Sequence, residues 1–155
     1  MVVPTRSADL QGHWTLMYFG FLQCPDVCPT TLASMAALRR RIEADPGSVA
    51  VPRLVFVTVD PENDSASAMA AYTSFFDPGI VGVRAEPASL RGFADQLGVF
   101  YEEQIDERGV RSMAHTTSVL LIDPSGRGVA AFSATHDLRV FERQYRQMLE
   151  HVSSR

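Results

Sequence analysis

Cysteine is scarce in this 155-residue chain, which carries two, Cys24 and Cys28. A disulfide-stapled secreted mini-domain needs more thiols in a shorter chain, so that class is excluded. Long apolar runs are missing as well, and no stretch approaches the roughly 20 residues that a membrane-spanning helix requires. The segment Met1 to Asp9 lacks the charged-then-apolar order of a secretory leader. A concentrated basic face is also lacking. The net charge is −4, and the one arginine run, Arg39-Arg40-Arg41, falls late in an expected helix, where cations meet the dipole and solvent. Nucleic acid is therefore not an expected partner. Low-complexity segments, linkers and internal repeats do not occur. What remains, 46% hydrophobic and 21% charged residues, belongs to an ordinary globular chain. Its length suits one continuous core, so residues 1–155 are read as a single domain.

Hydrophobic patterning then orders the elements. Residues 15–21 (TLMYFGF) are apolar and aromatic, as in a buried strand, and they run straight into the cysteine loop. Pro29 stands at a good first helical position, and Leu32, Met35, Leu38 and Ile42 recur at helical spacing until Asp45-Pro46-Gly47. Residues 54–59 (LVFVTV) show no polar alternation, which suits a strand covered on both faces. Asn63 or Asp64 is the expected cap of a second helix carrying Met69, Tyr72 and Phe76 inward. A short strand at 80–83 follows, and then a third helix from Pro87 to a stop at Gly98. Residues 102–113 are charged and irregular, and are expected to form a loop. Two strands at 118–122 and 128–132 flank the turn Asp123-Pro124-Ser125-Gly126, and Asp137 caps a last amphipathic helix. The order β-α-β-α-β-α, then hairpin and helix, predicts an α/β fold: a thioredoxin-like mixed sheet flanked by helices. In that layout the cysteine loop lies at the carboxyl end of a strand, where open α/β sheets place their sites.

The chemistry concentrates in Cys24-Pro25-Asp26-Val27-Cys28-Pro29. Side chains four apart on a helical turn share a face, with Cβ atoms about 5–6 Å apart. That geometry suits a disulfide, and equally two sulfurs converging on one metal ion. A helix starting just after Cys28, at Pro29, would stabilise a thiolate there. Asp26 could accept a backbone hydrogen bond or tune the thiolate charge. Two thiolates make a poor closed site for zinc, which takes four ligands, whereas copper(I) tolerates two or three soft ones. A third ligand would have to be one of the four histidines. His13 precedes the first strand, His136 precedes a helix cap, and His151 meets the dipole of the last helix turn, so each has an ordinary surface explanation. His115 lies just before the strand at 118–122, and its position alone leaves it open between ligand and loop histidine.

Tyr18-Phe19-Gly20-Phe21 and the CxxxCP segment resemble the hallmark of the Sco/SenC family of copper-binding thioredoxin-fold proteins. Val59-Asp60-Pro61 with Asp64, and His115 ahead of Leu121-Ile122-Asp123-Pro124-Ser125-Gly126, are similar to its other signatures. The likeness runs in order along almost the whole chain. It implies a copper site of Cys24, Cys28 and His115, taking Cu(I) and also Cu(II). It also implies a copper chaperone that helps to build the dinuclear copper site of cytochrome c oxidase, the family doing so by delivering copper or by reducing that site's cysteines. The implied partners are the oxidase subunit bearing that site and other periplasmic copper carriers. The implied location is the periplasmic side of the bacterial inner membrane, with this chain the soluble portion of an N-terminally anchored protein. Asp60 and Asp64 are read as loop and cap residues rather than ligands. Two positions depart from the family pattern: Ala114 stands where an aspartate often precedes the histidine, and Gln23 precedes the first cysteine.

Three other readings compete. Cys24 and Cys28 could be the catalytic redox pair of a thiol-disulfide oxidoreductase acting on partner cysteines without metal. Such enzymes usually carry a cis-proline in the loop that here holds His115, and no proline occurs between Pro87 and Pro124, which favours copper. Cys28-Pro29-Thr30-Thr31 resembles a peroxiredoxin stretch, but Pro25 occupies the position of the threonine that those enzymes need. A sensor reporting copper or redox state to a partner would use the same residues.

Overall fold

The computed structural model describes residues 2–3, 10–23, 27–45, 47, 49–133 and 135–153, apart from the side chains of Val2, Val3, Val27, Cys28 and Ser153. The elements in chain order are β1 (Val2–Val3), β2 (Thr15–Gly20), α1 (Val27–Glu43), β3 (Arg53–Thr58), α2 (Ala66–Phe76) and β4 (Val81–Val83), followed by α3 (Pro87–Leu97), β5 (Tyr101–Ile105), β6 (Arg111–His115), β7 (Val119–Ile122), β8 (Gly128–Phe132) and α4 (Leu138–Ser153). Six strands form one sheet in the order β1-β4-β3-β2-β7-β8, while β5 and β6 form a separate hairpin. β2 runs parallel to β3, and β3 and β1 run parallel to β4. β7 and β8 are antiparallel additions on the other side of β2. The expected thioredoxin-like mixed sheet is therefore present.

Unbroken apolar strands follow from burial on both faces. Side chains alternate along a strand, so Leu16, Tyr18, Leu54, Phe56, Val119 and Leu121 meet α1, α2 and α4 on one face. Met17, Phe19, Val55, Val57, Leu120 and Ile122 turn to the other face, under α3 and the hairpin. The strongly amphipathic α4 contributes Phe141, Tyr145 and Leu149 to the first cluster, and the Asp137 carboxylate accepts from the Arg139 and Val140 amides at its start, as the sequence predicts. Gly98 ends α3 in the left-handed region at φ +70°. No helix among the described residues is long and apolar enough to cross a membrane.

Three expectations need correction, and one further strand is present. The stretch 102–113 is not an irregular loop: it forms most of the β5–β6 hairpin, closed by a turn in which Asp106 Oδ1 accepts from the Arg108 and Val110 amides and Gly109 adopts φ +77°. Most of β5 and the first half of β6 are exposed and polar or charged, so the apolar alternation that reveals a half-buried strand is absent there. The cap of α2 is Ser65, whose Oγ accepts from the Ala68 amide at 3.2 Å, and not Asn63 or Asp64. α1 starts at Val27, two residues ahead of Pro29, because a first-turn proline needs no amide partner. The short edge strand β1 has no counterpart among the expected elements.

Candidate metal centre

β2 delivers the chain into the cysteine loop. Cys24 and Asp26 lie outside the described residues, and Cys28 is described by its backbone alone, in the first turn of α1. That position keeps the dipole argument for a stabilised thiolate at Cys28.

His115 is the last residue of β6, not a loop residue. Its half-buried ring stands edge-on to Tyr18 at 6.0 Å and to Phe21 at 5.8 Å between centroids. Tyr18 lies in β2 and Phe21 directly follows it, so the fold sets His115 against the chain segment that precedes the cysteine motif in sequence. The His115 Nδ1 lies 2.9 Å from the Thr116 carbonyl oxygen. A carbonyl only accepts, so Nδ1 carries the proton, and in the neutral ring the lone pair falls on Nε2. This is the tautomer and orientation that a metal-binding imidazole takes from an outer partner. Position 114 is alanine and offers no carboxylate, and the polar partner of the ring is the Thr116 carbonyl. Thr116 is itself held, its amide donating to the Phe100 carbonyl and its Oγ1 accepting from the Phe100 amide, each at 2.8 Å. His13, His136 and His151 are all exposed.

The loop after β3 holds Asp60 and Asp64, expected as loop and cap residues, in more specific roles. Asp64, 2% exposed, accepts at Oδ2 from the Thr58 hydroxyl at 2.6 Å and from the Leu22 amide at 3.2 Å. Burial pushes its carboxyl above the usual range, against the pull of those two donors. Asp60, 5% exposed, takes a two-pronged ion pair from Arg111, with Nη1 and Nη2 each 2.8 Å from a carboxylate oxygen. Asn63 also donates to it. The guanidinium beside Asp60 holds that carboxyl below its ordinary value, outweighing desolvation, and Arg111 further donates from Nε to Glu103 at 2.8 Å. Two charged residues 51 positions apart carry no local signal, so this pairing could not be read from sequence.

The SCO1/SenC family model matches residues 3–150 of this chain. The chain belongs to the SCO1/SenC family. Among relatives of this family, the mitochondrial SCO2 homolog of Homo sapiens is 38% identical over 121 residues, which is 77% of this chain and 45% of that protein. The chain spans about half the length of the first relatives it matches, between 45% and 48%. Among solved structures, Arabidopsis thaliana ScoI with copper bound aligns at a TM-score of 0.84 and 28% identity, covering 94% of this chain and 89% of that one. Bradyrhizobium japonicum ScoI with copper bound aligns at 0.74 and 30% identity, covering 90% and 88%. The SCO1/SenC assignment accounts for the thioredoxin-like sheet.

Proposed function

We propose that this chain, acting as one thioredoxin-like domain, is a copper chaperone that carries the metal on the Cys24 and Cys28 thiolates and the His115 imidazole. The supporting observation is the setting of His115: at the end of β6, packed on Tyr18 and Phe21 beside the cysteine loop, with Nδ1–H bonded to a carbonyl. The neutral ring then offers Nε2 to a metal. Two soft thiolates favour Cu(I), and the imidazole makes the same set serviceable for Cu(II). With three protein ligands the coordination shell stays incomplete, so an acceptor's ligand can attack the metal and take it by exchange. The acceptor in this reading is the subunit carrying the dinuclear copper site of cytochrome c oxidase, met on the periplasmic side of the inner membrane by a domain tethered there. Copper-bound relatives of the same family support the choice of metal. Oxidation of the two thiols to a disulfide, with two electrons passing to a partner disulfide, removes both sulfur ligands and makes copper loading depend on redox state.

Anaerobic titration of the reduced protein with Cu(I) against a competing chelator tests this. One equivalent bound tightly, and weakened about tenfold or more in His115→Ala, is the expected result. Binding indifferent to His115 would reject the three-ligand site and return the cysteine pair to metal-free thiol-disulfide exchange.

A further inference from the structure

An isolated two-stranded hairpin is marginal in water, yet β5–β6 carries the candidate histidine ligand and, among the described residues, pairs with no other strand. What fastens it to the body therefore decides where His115 sits. Arg111, Met113 and His115 alternate along β6 and share one face. All three reach the body: Met113 packs against the second core cluster, His115 meets Tyr18 and Phe21, and Arg111 grips Asp60. Arg111 and His115 stand at opposite ends of the strand, roughly 13 Å apart at about 3.3 Å per residue. At the His115 end, Arg91 secures β5 through a hydrogen bond to the Tyr101 carbonyl and a stacked guanidinium 3.9 Å from the Tyr101 ring centroid. At the turn end, the two-pronged bond to Asp60 is the charged attachment to the body. A strand held at both ends has a fixed tilt, and one held at a single end can pivot.

The partner of this attachment matters equally. Asp60 lies four residues before Asp64, and the Asp64 carboxylate holds the Leu22 amide, two residues ahead of Cys24. One short loop thus grips both arms of the candidate site. The Thr58 hydroxyl ties the two grips together, donating to Asp64 and accepting from the Asp60 amide at 3.0 Å.

We propose that the loop 60–64 is a brace setting the spacing between the cysteine arm and the histidine arm, with Arg111 the positioning residue that clamps the His115 strand onto it. This rests on the copper-site reading above and adds a residue that acts through another, because the Arg111 guanidinium is held by Asp60 and Glu103 at the end of β6 opposite His115. The guanidinium fork is required, since a planar bidentate pair fixes direction as well as distance. Asp60 remains ionised well into acid because Arg111 stabilises its charge, so the clamp persists across the neutral range.

The test is a double-mutant cycle on the full chain, reading Cu(I) affinity by chelator competition in native, Arg111→Gln, His115→Ala and the double variant. Arg111→Gln is expected to weaken Cu(I) about fivefold to tenfold in the native background and to have no effect once His115 is alanine. Arg111→Lys, which keeps the charge but not the fork, is expected to fall between. In the metal-free protein, Arg111→Gln should speed amide exchange across β5–β6 about tenfold while leaving α4 unchanged. An equal loss of affinity in both backgrounds, or none in either, overturns the positioning role. Unaltered hairpin exchange overturns the clamp itself. Native-like binding by His115→Ala instead contradicts the copper site, so the two failures are told apart.

Discussion

Thr58→Val isolates the hinge of the brace, because valine matches threonine in shape and removes only the hydroxyl. Thr58 is fully buried, and that hydroxyl has two duties: donating to the Asp64 carboxylate at 2.6 Å and accepting the Asp60 amide at 3.0 Å. A hydrogen bond to a charged acceptor contributes about 1.5–3 kcal/mol, and a buried amide left without an acceptor costs about 1 kcal/mol or more. The methyl that replaces the hydroxyl returns up to about 0.8 kcal/mol through burial. The net expectation is a loss of about 2–3 kcal/mol, a large share of the ~5–15 kcal/mol typical of a domain. The loss should also depend on pH. Burial holds the Asp64 carboxyl above its ordinary value, and removing the Thr58 donor raises it further. The carboxylate therefore meets its greatest penalty when ionised, and the variant should lose more at about pH 7 than at about pH 4. Urea unfolding measures this, with a midpoint drop of about 1 M at unchanged slope. A drop below about 0.3 M, or a loss that grows on acidification, would refute the reasoning.

Further outcomes follow from individual residues. Because the native pKa of Asp64 is raised above the unfolded 3.8, its contribution to stability is complete below that pH and is lost as pH rises through the raised value. Asp64→Asn should thus gain stability relative to the native chain as urea titrations move from about pH 4 to about pH 7, and a variant that loses ground to the native chain in that direction contradicts the assignment. Asp60 has the opposite sense: its lowered pKa gives stability that is present above 3.8 and lost as pH falls through the native value, so Asp60→Asn should cost more at about pH 6 than at about pH 3. Gly98→Ala should cost about 1 kcal/mol through backbone strain alone, since φ is +70° and an added Cβ meets nothing within 4 Å. A thermal melt that matches the native chain would remove that reading of the α3 stop.

The sheet was legible wherever both its faces are covered. Leu54 to Val57 and Val119 to Ile122 are apolar throughout because successive side chains enter different clusters, and no other local structure uses such a run so economically. The helix stop at Gly98 and the cap at Asp137 were equally plain, since each depends on the chemistry of one residue. The β5–β6 hairpin was hidden because four of the five residues in Tyr101–Ile105 are exposed, so strand pairing there is not written in hydrophobic alternation. Its local signal was Asp106 with Gly109, a turn that makes sense only if the flanks are allowed to pair. The expected ligand His115 was visible through the family likeness, but its orientation was not, because a backbone carbonyl at Thr116 sets it. Long-range charge pairs such as Arg111 with Asp60 lie 51 residues apart, and only the folded chain reveals them.

The central claim is that one copper ion is held by Cys24, Cys28 and His115, and X-ray absorption of the protein loaded with one equivalent of Cu(I) tests it most directly. The expected spectrum has two sulfur scatterers and one nitrogen scatterer, with the outer-shell pattern of an imidazole that disappears in His115→Ala. A sulfur-only environment in the native chain, or an imidazole signal that survives the substitution, would contradict the account.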